Sequence, residues 1–254
     1  MNEQAVRPSQ GDVEFQRRLY EDPNPTRRGL HSTRRDWVLD QATANSKVND
    51  RVLEVGVGCG VFTEALAAAG RRVSAVDINP AFLDNVASLK SVDTHLKDAT
   101  RPLELGDHDL AICSEVLEHV PPGRSQAMLD SLHDALRPGG TLVLTTPQRF
   151  ASVELVARLF RFKPVLALAR RLYGSADELG HINLLTVAAL RDQLGRAGFT
   201  VEGQRRFGFY LPVIAEFAGK PGAALLRGIE KTIRPLPVVR GLLWTQAYVL
   251  RRAA

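Results

Sequence analysis

Between Ser114 and His119 the chain reads Ser-Glu-Val-Leu-Glu-His, which sets two carboxylates and an imidazole within five residues. Groups of these types move protons near neutral pH or ligate a cation. If the segment is helical, Glu115 meets Glu118 at i, i+3 and His119 at i, i+4, so the three share one face. A second histidine, His181, lies 62 residues further on in Leu179-Gly180-His181-Ile182-Asn183, ahead of a helix-compatible stretch from Thr186 to Ala197. His119 and His181 are the candidate proton acceptors; the competing reading makes them pocket-lining or packed side chains.

A second cluster, earlier in the chain, has the form of a ligand cradle. Val52-Leu53-Glu54-Val55 reads as a strand and runs into Gly56-Val57-Gly58-Cys59-Gly60; Val61 to Ala69 then reads as a helix ending at Gly70. Glycines there permit positive φ and close approach of a ligand to the backbone. Seventeen residues after Gly60 the strand Val73 to Val76 ends at Asp77, whose carboxylate can accept hydrogen bonds from both hydroxyls of an adenosine ribose. A dinucleotide site favours G-x-G-x-x-G, with the pyrophosphate on the helix N-terminus. Here the spacing is G-x-G-x-G with an acid at Glu54, which would repel a pyrophosphate but suits the ammonium and sulfonium of S-adenosylmethionine. The methyl donor is favoured over NAD.

These residues need a scaffold, and the pattern supplies one. Short β-branched runs at Val52–Val55, Arg72–Val76, Asp93–Leu96, Asp109–Cys113 and Thr141–Thr145 alternate with helical segments, which indicates a parallel sheet with helices on both faces. Residues 1–47 hold two helix-like stretches, Asp12–Tyr20 and Ser32–Ala44, separated by Asp22-Pro23-Asn24-Pro25, and read as an arm or lid. Residues 48–254 read as the main domain, with insertions at 150–180 and 207–241 covering the acceptor side.

Taken together, five motifs in order resemble the class I S-adenosylmethionine-dependent methyltransferase family over roughly residues 48 to 206: Val52–Gly60, Asp77-Ile78-Asn79-Pro80, Asp98-Ala99, Asp109–Val120, and Leu136-Arg137-Pro138-Gly139-Gly140-Thr141. The resemblance implies a Rossmann-like α/β fold: a seven-stranded, mostly parallel sheet, last strand antiparallel, with Thr200–Phe207 and Leu243–Leu250 as its final two strands. It implies cofactor contacts from Glu54, Gly56, Gly58, Gly60, Asp77, Ile78, Asp98, Ala99 and Ser114. Glu-x-x-Glu-His with a distant His is similar to the metal set of two O-methyltransferase groups. One acts on prenylated catechols in ubiquinone biosynthesis, and this chain is closest to it in motif pattern; the other methylates the terminal 2′-hydroxyl of small RNAs. That likeness implies Glu115, Glu118, His119 and His181 as ligands of Mg²⁺, Mn²⁺ or Zn²⁺, which would lower the pKa of the acceptor hydroxyl.

Composition bounds the rest. The 254 residues carry a net +5 charge, concentrated beyond residue 150, where 16 basic residues face 7 acidic ones. There is no secretory signal and no uncharged apolar span, so a cytoplasmic protein is expected. Cys59 and Cys113 are expected as reduced thiols. Residues 153–173 are apolar with five basic residues, one acid and Pro164; they suit peripheral membrane contact or a substrate lid. With 6% aromatics and no base-stacking module, RNA ranks below a small or lipid-like hydroxyl acceptor. An NAD-linked oxidoreductase and a non-catalytic scaffold are the rivals from other classes. Oligomeric state is not legible.

Overall fold

The β-branched runs do form strands, and their order sets where the ligand-type residues meet. The computed structural model describes residues 10–159 and 182–253. Seven strands, β1 (Arg51–Val55), β2 (Arg72–Asp77), β3 (Val92–Leu96), β4 (His108–Ser114), β5 (Leu136–Pro147), β6 (Phe199–Phe207) and β7 (Thr245–Arg252), make one sheet. Its order is β3-β2-β1-β4-β5-β7-β6. The first five strands are mutually parallel, and β7 is inserted antiparallel to both β5 and β6. This is the Rossmann-like sheet that the sequence predicts, with strand limits within two residues except at β5, which already pairs at Leu136.

Strand alternation sends successive side chains to opposite faces, and each face has its own helices. On one face Leu53, Val55, Ala111, Cys113, Leu142 and Leu144 pack under α5 (Ser125–Ala135) and α7 (Val187–Arg196), which contribute Met128, Leu129, Leu132, Leu190 and Leu194. On the other, Val52, Val73, Leu110, Ile112 and Val143 pack under α2 (Pro25–Ala44) and α3 (Val61–Ala68) through Trp37, Val38, Ala42, Phe62 and Leu66. The remaining helices are α1 (Gln10–Leu19), α4 (Pro80–Asp84), α6 (Ser152–Leu159), α8 (Pro212–Phe217) and α9 (Gly219–Ile233). Both cysteines are free and buried. Among the described residues no helix is long and apolar enough to cross a membrane.

The helix expected from Ser32 begins seven residues earlier. Asn24 caps it, its side-chain oxygen accepting from the N–H groups of Thr26 (2.9 Å) and Arg27 (3.2 Å). Pro25 occupies the first turn, where a missing N–H costs nothing. The prolines thus start α2 instead of interrupting it. The same Asn24 amide donates to the Ala215 carbonyl (2.9 Å) and Glu216 (3.2 Å), fastening α2 to α8. Arg27 bridges Asp22 and Glu216 at 2.9 and 2.6 Å.

Replacing Asn24 with alanine removes the cap and both cross-links. The expected loss is about 1–2 kcal/mol, read in thermal unfolding as a fall of roughly 2–8 °C for a chain of this size.

Candidate functional site

The tips of the parallel strands converge at their carboxyl ends. β1 leaves the sheet at Gly56, whose N–H still donates to the Val76 carbonyl of β2 (2.9 Å). Gly56, Gly58 and Gly60 all have positive φ (84°, 54° and 81°). At Gly56 a Cβ would lie 2.2 Å from Val116 Cγ2, and at Gly60 it would lie 2.6 Å from Val86 Cγ1. Both positions therefore require glycine sterically as well as conformationally.

Asp77 holds this loop. Its Oδ2 accepts from Val57 N–H (2.8 Å) and its Oδ1 from Asn79 N–H (2.9 Å). The carboxylate is only 8% exposed. Burial raises its pKa, opposed by these N–H donors. β3 emerges beside it, since Lys97 N–H donates to the Asp77 carbonyl (3.1 Å), which delivers Asp98 and Ala99 to the same edge. Asp98 accepts from the Thr100 hydroxyl (2.7 Å) and N–H (2.9 Å). Burial pushes its pKa up, but these donors together with Arg101 and Arg124 bring it below the usual range. Ala99 is buried against the core, and Ile78 is 73% exposed. Ser114, at the tip of β4, hydrogen-bonds with the Thr145 hydroxyl (2.9 Å).

Glu54 faces inward beneath the loop. The Thr63 hydroxyl donates to its Oε2 (2.5 Å), while the buried Oε1 has no partner. Burial lifts its pKa to about 8, and the Asp77 charge adds to the rise. This side chain is therefore mostly protonated at neutral pH.

The Glu115–His119 segment is not the helix that would have aligned its three groups. Glu115 has a left-handed backbone (φ 57°) and its N–H continues the ladder to the Thr145 carbonyl (2.9 Å); only a short 3₁₀ turn, Leu117–His119, follows. Val116 is committed to packing on Gly56, which forces the chain to turn there. Consequently the two carboxylates are inside and His119 is exposed. Glu115 Oε1 accepts from the Thr145 hydroxyl (3.0 Å) and Glu118 Oε2 from the Thr146 hydroxyl (3.0 Å). Glu118 is 1% exposed, its Oε1 has no partner, and burial plus the Glu115 charge push its pKa well above the carboxylate range. The N–H groups of Ile182 and Asn183 both donate to the Glu118 carbonyl at 3.0 Å. His181, which precedes them, lies outside the described residues. Among the described residues no three Asp, Glu, His or Cys side chains are grouped to hold a metal.

The N-terminal helices bring residues that the motifs did not mark. Arg34 of α2 places Nη1 3.1 Å from Glu115 Oε2, with its side chain 12% exposed, and donates from Nη2 to His31 Nδ1 (3.2 Å). Burial lowers its pKa, but the charges of Glu115, Tyr20 and Glu118 outweigh that and hold it above the usual value. His31, buried beside this cation, is pushed down to about 3, so it is a neutral acceptor. Tyr20 is hydrogen-bonded to Arg34 and raised by burial. α1 lies over the glycine loop: Arg17 donates to the Cys59 carbonyl (3.2 Å) and pairs with Glu64 (2.6 Å), while Gln16 Oε1 lies 2.4 Å from where a Gly58 Cβ would project. The signal available in the sequence was His31, Arg34 and Val38 at i, i+3, i+7, legible only once the helix is extended back to Pro25.

The described fold resembles solved structures of a methyltransferase and of a cyclase. A magnesium protoporphyrin IX methyltransferase from Synechocystis, crystallised with S-adenosylhomocysteine, is similar at TM-score 0.60 and 18% identity, covering 94% of this chain and 93% of that one. A 4+2 cyclase is equally similar at TM-score 0.60 and 15% identity, covering 92% and 84%, so the fold alone does not set the reaction. In sequence, the ubiquinone biosynthesis O-methyltransferase of Ralstonia nicotianae is 32% identical over 147 residues, 54% of this chain and 59% of that protein; the match spans somewhat over half of such relatives. The methyltransferase domain family model matches residues 27–204, and the chain belongs to that family.

Glu54 gives a pH signature. Because its folded pKa lies above the ordinary value of 4.5, the bound proton stabilises the folded state fully below that value, and the contribution is lost as pH rises through about 8. Chemical denaturation should show native stability falling between about pH 5 and 8 more steeply than that of Glu54→Gln; parallel curves would contradict the assignment. Gly60→Ala should cost about 1–3 kcal/mol in the same assay, from the left-handed backbone and the Val86 overlap.

Proposed function

We propose that the protein transfers a methyl group from S-adenosylmethionine to a hydroxyl of a small or lipid-like acceptor. The observation that carries this is the Asp77 carboxylate, tied to the glycine loop at 2.8 Å, which leaves a cradle of backbone and acid at one sheet edge. In this reading Asp77, Ile78, Asp98 and Ala99 take the adenosine. Gly56, Gly58, Gly60 and Glu54 take the methionine end, and Ser114 stands beside the sulfonium. An incoming ammonium favours the charged form of Glu54, so the side chain releases its proton as the cofactor arrives. α1, over the loop, acts as the lid, and Gln16 turns aside to admit the ligand. A nicotinamide dinucleotide fits less well, because the G-x-G-x-G spacing of Gly56, Gly58 and Gly60 departs from the G-x-G-x-x-G that seats a pyrophosphate on the helix N-terminus.

Methyl transfer from a sulfonium is an in-line displacement, so the acceptor oxygen must be aligned and its proton removed. Arg34, Glu115 and Glu118 orient the acceptor, with Tyr20 beside them, and His119 or His181 takes the proton. The hydroxyl acceptor draws support from relatives named O-methyltransferases, and its lipid-like character from the exposed apolar Phe150, Leu155 and Ile182 that follow β5 and the Glu118 turn. Residues 153–173 provide peripheral membrane contact in this reading; most of them lie outside the described residues.

A second reading adds a divalent ion, favoured by one observation: Glu118 Oε1 is buried without a partner next to the Glu115 charge. Glu115, Glu118, His119 and His181 would hold it, and it would acidify the acceptor hydroxyl. Against it, Arg34 already pairs with Glu115, and among the described residues no three Asp, Glu, His or Cys side chains are grouped to hold an ion.

Calorimetric titration tests both readings. S-adenosylhomocysteine should bind the protein while NADH does not, and Asp77→Asn should weaken binding by about tenfold or more, as expected when a buried acceptor becomes a donor facing N–H groups. Equal affinity for NADH would overturn the methyl-donor reading. For the ion, Mn²⁺ should bind the native protein but not Glu118→Ala, His119→Ala, with S-adenosylhomocysteine affinity unchanged; an identical Mn²⁺ titration of the two proteins removes it.

A further inference from the structure

One edge of the sheet carries a cavity that the proposed methyl-transfer site does not use. β6 is the edge strand, and Gln204, Arg205 and Arg206 line a cavity of about 130 Å³ with Arg234 at the end of α9 and Arg240 in the 3₁₀ turn Val239–Leu242. Arg234 is paired with Glu230, whose other oxygen accepts from Gly208 N–H (3.2 Å). Arg205, Arg206 and Arg240 have no carboxylate partner among the described residues. Arg206 is half-buried, and burial together with the like charges of Arg240 and Arg191 lowers its pKa. A protein that gathers unpaired guanidinium groups so closely carries a repulsion that an anion would relieve.

Register places this cavity relative to the methyl-transfer site. Arg206 pairs with Gln246 across β6–β7, Gln246 pairs with Thr146 across β7–β5, and the Thr146 hydroxyl donates to Glu118. Paired residues share a face, and strands lie about 4.8 Å apart, so Arg206 stands roughly 10 Å from Thr146 on the face that carries Glu118. Between them Gln246 is spoken for, donating to the Leu185 carbonyl (3.1 Å) and accepting from Tyr248 (2.9 Å). The cavity is therefore a neighbouring site and not an extension of the carboxylate pair.

We propose that Arg206 and Arg240, with Arg234 beside them, bind a phosphate-type oxyanion at this edge. Guanidinium forks match the oxygen pairs of a phosphate in bidentate fashion, which ammonium groups do not. The phosphate belongs to a soluble phosphorylated molecule or to a lipid headgroup, two sources with the same chemistry.

The test uses the full chain at low ionic strength, with inorganic phosphate, pyrophosphate, and vesicles of phosphatidylcholine with or without phosphatidylglycerol. Saturable pyrophosphate binding is expected, weakened by about tenfold or more in Arg206→Gln, the loss of one charge-assisted bidentate contact. Arg206 is partly packed, so Arg240→Glu, in an exposed turn, supplies the second variant and should abolish binding. The charge-matched control Arg18→Gln, Arg196→Gln should bind as the native protein does. Pyrophosphate binding with no preference for anionic vesicles identifies a soluble ligand; co-sedimentation with phosphatidylglycerol vesicles that Arg240→Glu abolishes identifies a headgroup. Absence of saturable binding to every probe, or equal binding by Arg240→Glu, overturns the proposal. S-adenosylhomocysteine affinity, measured on the same variants and expected to be unchanged, keeps this outcome separate from the fate of the methyl-transfer reading.

Discussion

The carboxylate of Asp77 is the constraint on which the site depends. It is buried, which disfavours its charge, yet it accepts backbone N–H groups from the glycine loop on one side and from Asn79 on the other. Those donors are otherwise orphans of two chain turns, and a buried acceptor that satisfies both is worth more than a surface contact. The tie fixes the distance between the tips of β1 and β2. Through Lys97 the same segment fixes the tip of β3 as well. Gly56 and Gly60 are consequences of that geometry, since Val116 and Val86 occupy the space a side chain would need.

A second buried charge system stands across the sheet edge. Glu115 and Glu118 come from one short turn but accept from hydroxyls of adjacent β5 residues, Thr145 and Thr146, whose side chains point to opposite faces. Two such carboxylates cannot both stay ionised cheaply away from water. Arg34 resolves half of the problem by pairing with Glu115, and the cost falls on Glu118, which is pushed toward its neutral form. Because Arg34 belongs to α2, and α2 is held to α8 through Asn24 and Arg27, the charge balance of the turn depends on helices far away in sequence.

This division explains what could be read from the residues alone. The five parallel strands and the glycine loop were legible because hydrophobic alternation and glycine chemistry are local. Asp77 was legible from its place at a strand tip. The start of α2 was not, because Asp-Pro-Asn-Pro carries both a break signal and an N-cap signal, and only the hydrogen bonds of Asn24 distinguish them. Arg34, His31 and Tyr20 escaped notice for a related reason: an arginine on an amphipathic helix reads as solvated until a carboxylate some eighty residues away is seen beneath it. The helical face drawn through Glu115, Glu118 and His119 failed because spacing assumes regular backbone, and Glu115 has left-handed φ where Val116 packs on Gly56.

The basic excess of the C-terminal part divides in the same way between structure and field. Arg251 pairs with Glu202 and donates to the Gly139 carbonyl and the Thr141 hydroxyl, at 3.0 and 2.8 Å. Arg252 donates to the carbonyls of His133 and Leu136. Arg234 and Arg196 have their own acidic partners. All four close helix and strand ends, and the charges of Arg251, Arg234 and Arg196 are offset by their acidic partners. Arg206 and Arg240 have no carboxylate partner among the described residues and meet at one cavity, so two positive charges stand together there. A concentrated charge beside a cavity acts on ligands over roughly one Debye length, about 8–10 Å in physiological salt. That reach is comparable to the register distance between Arg206 and Thr146.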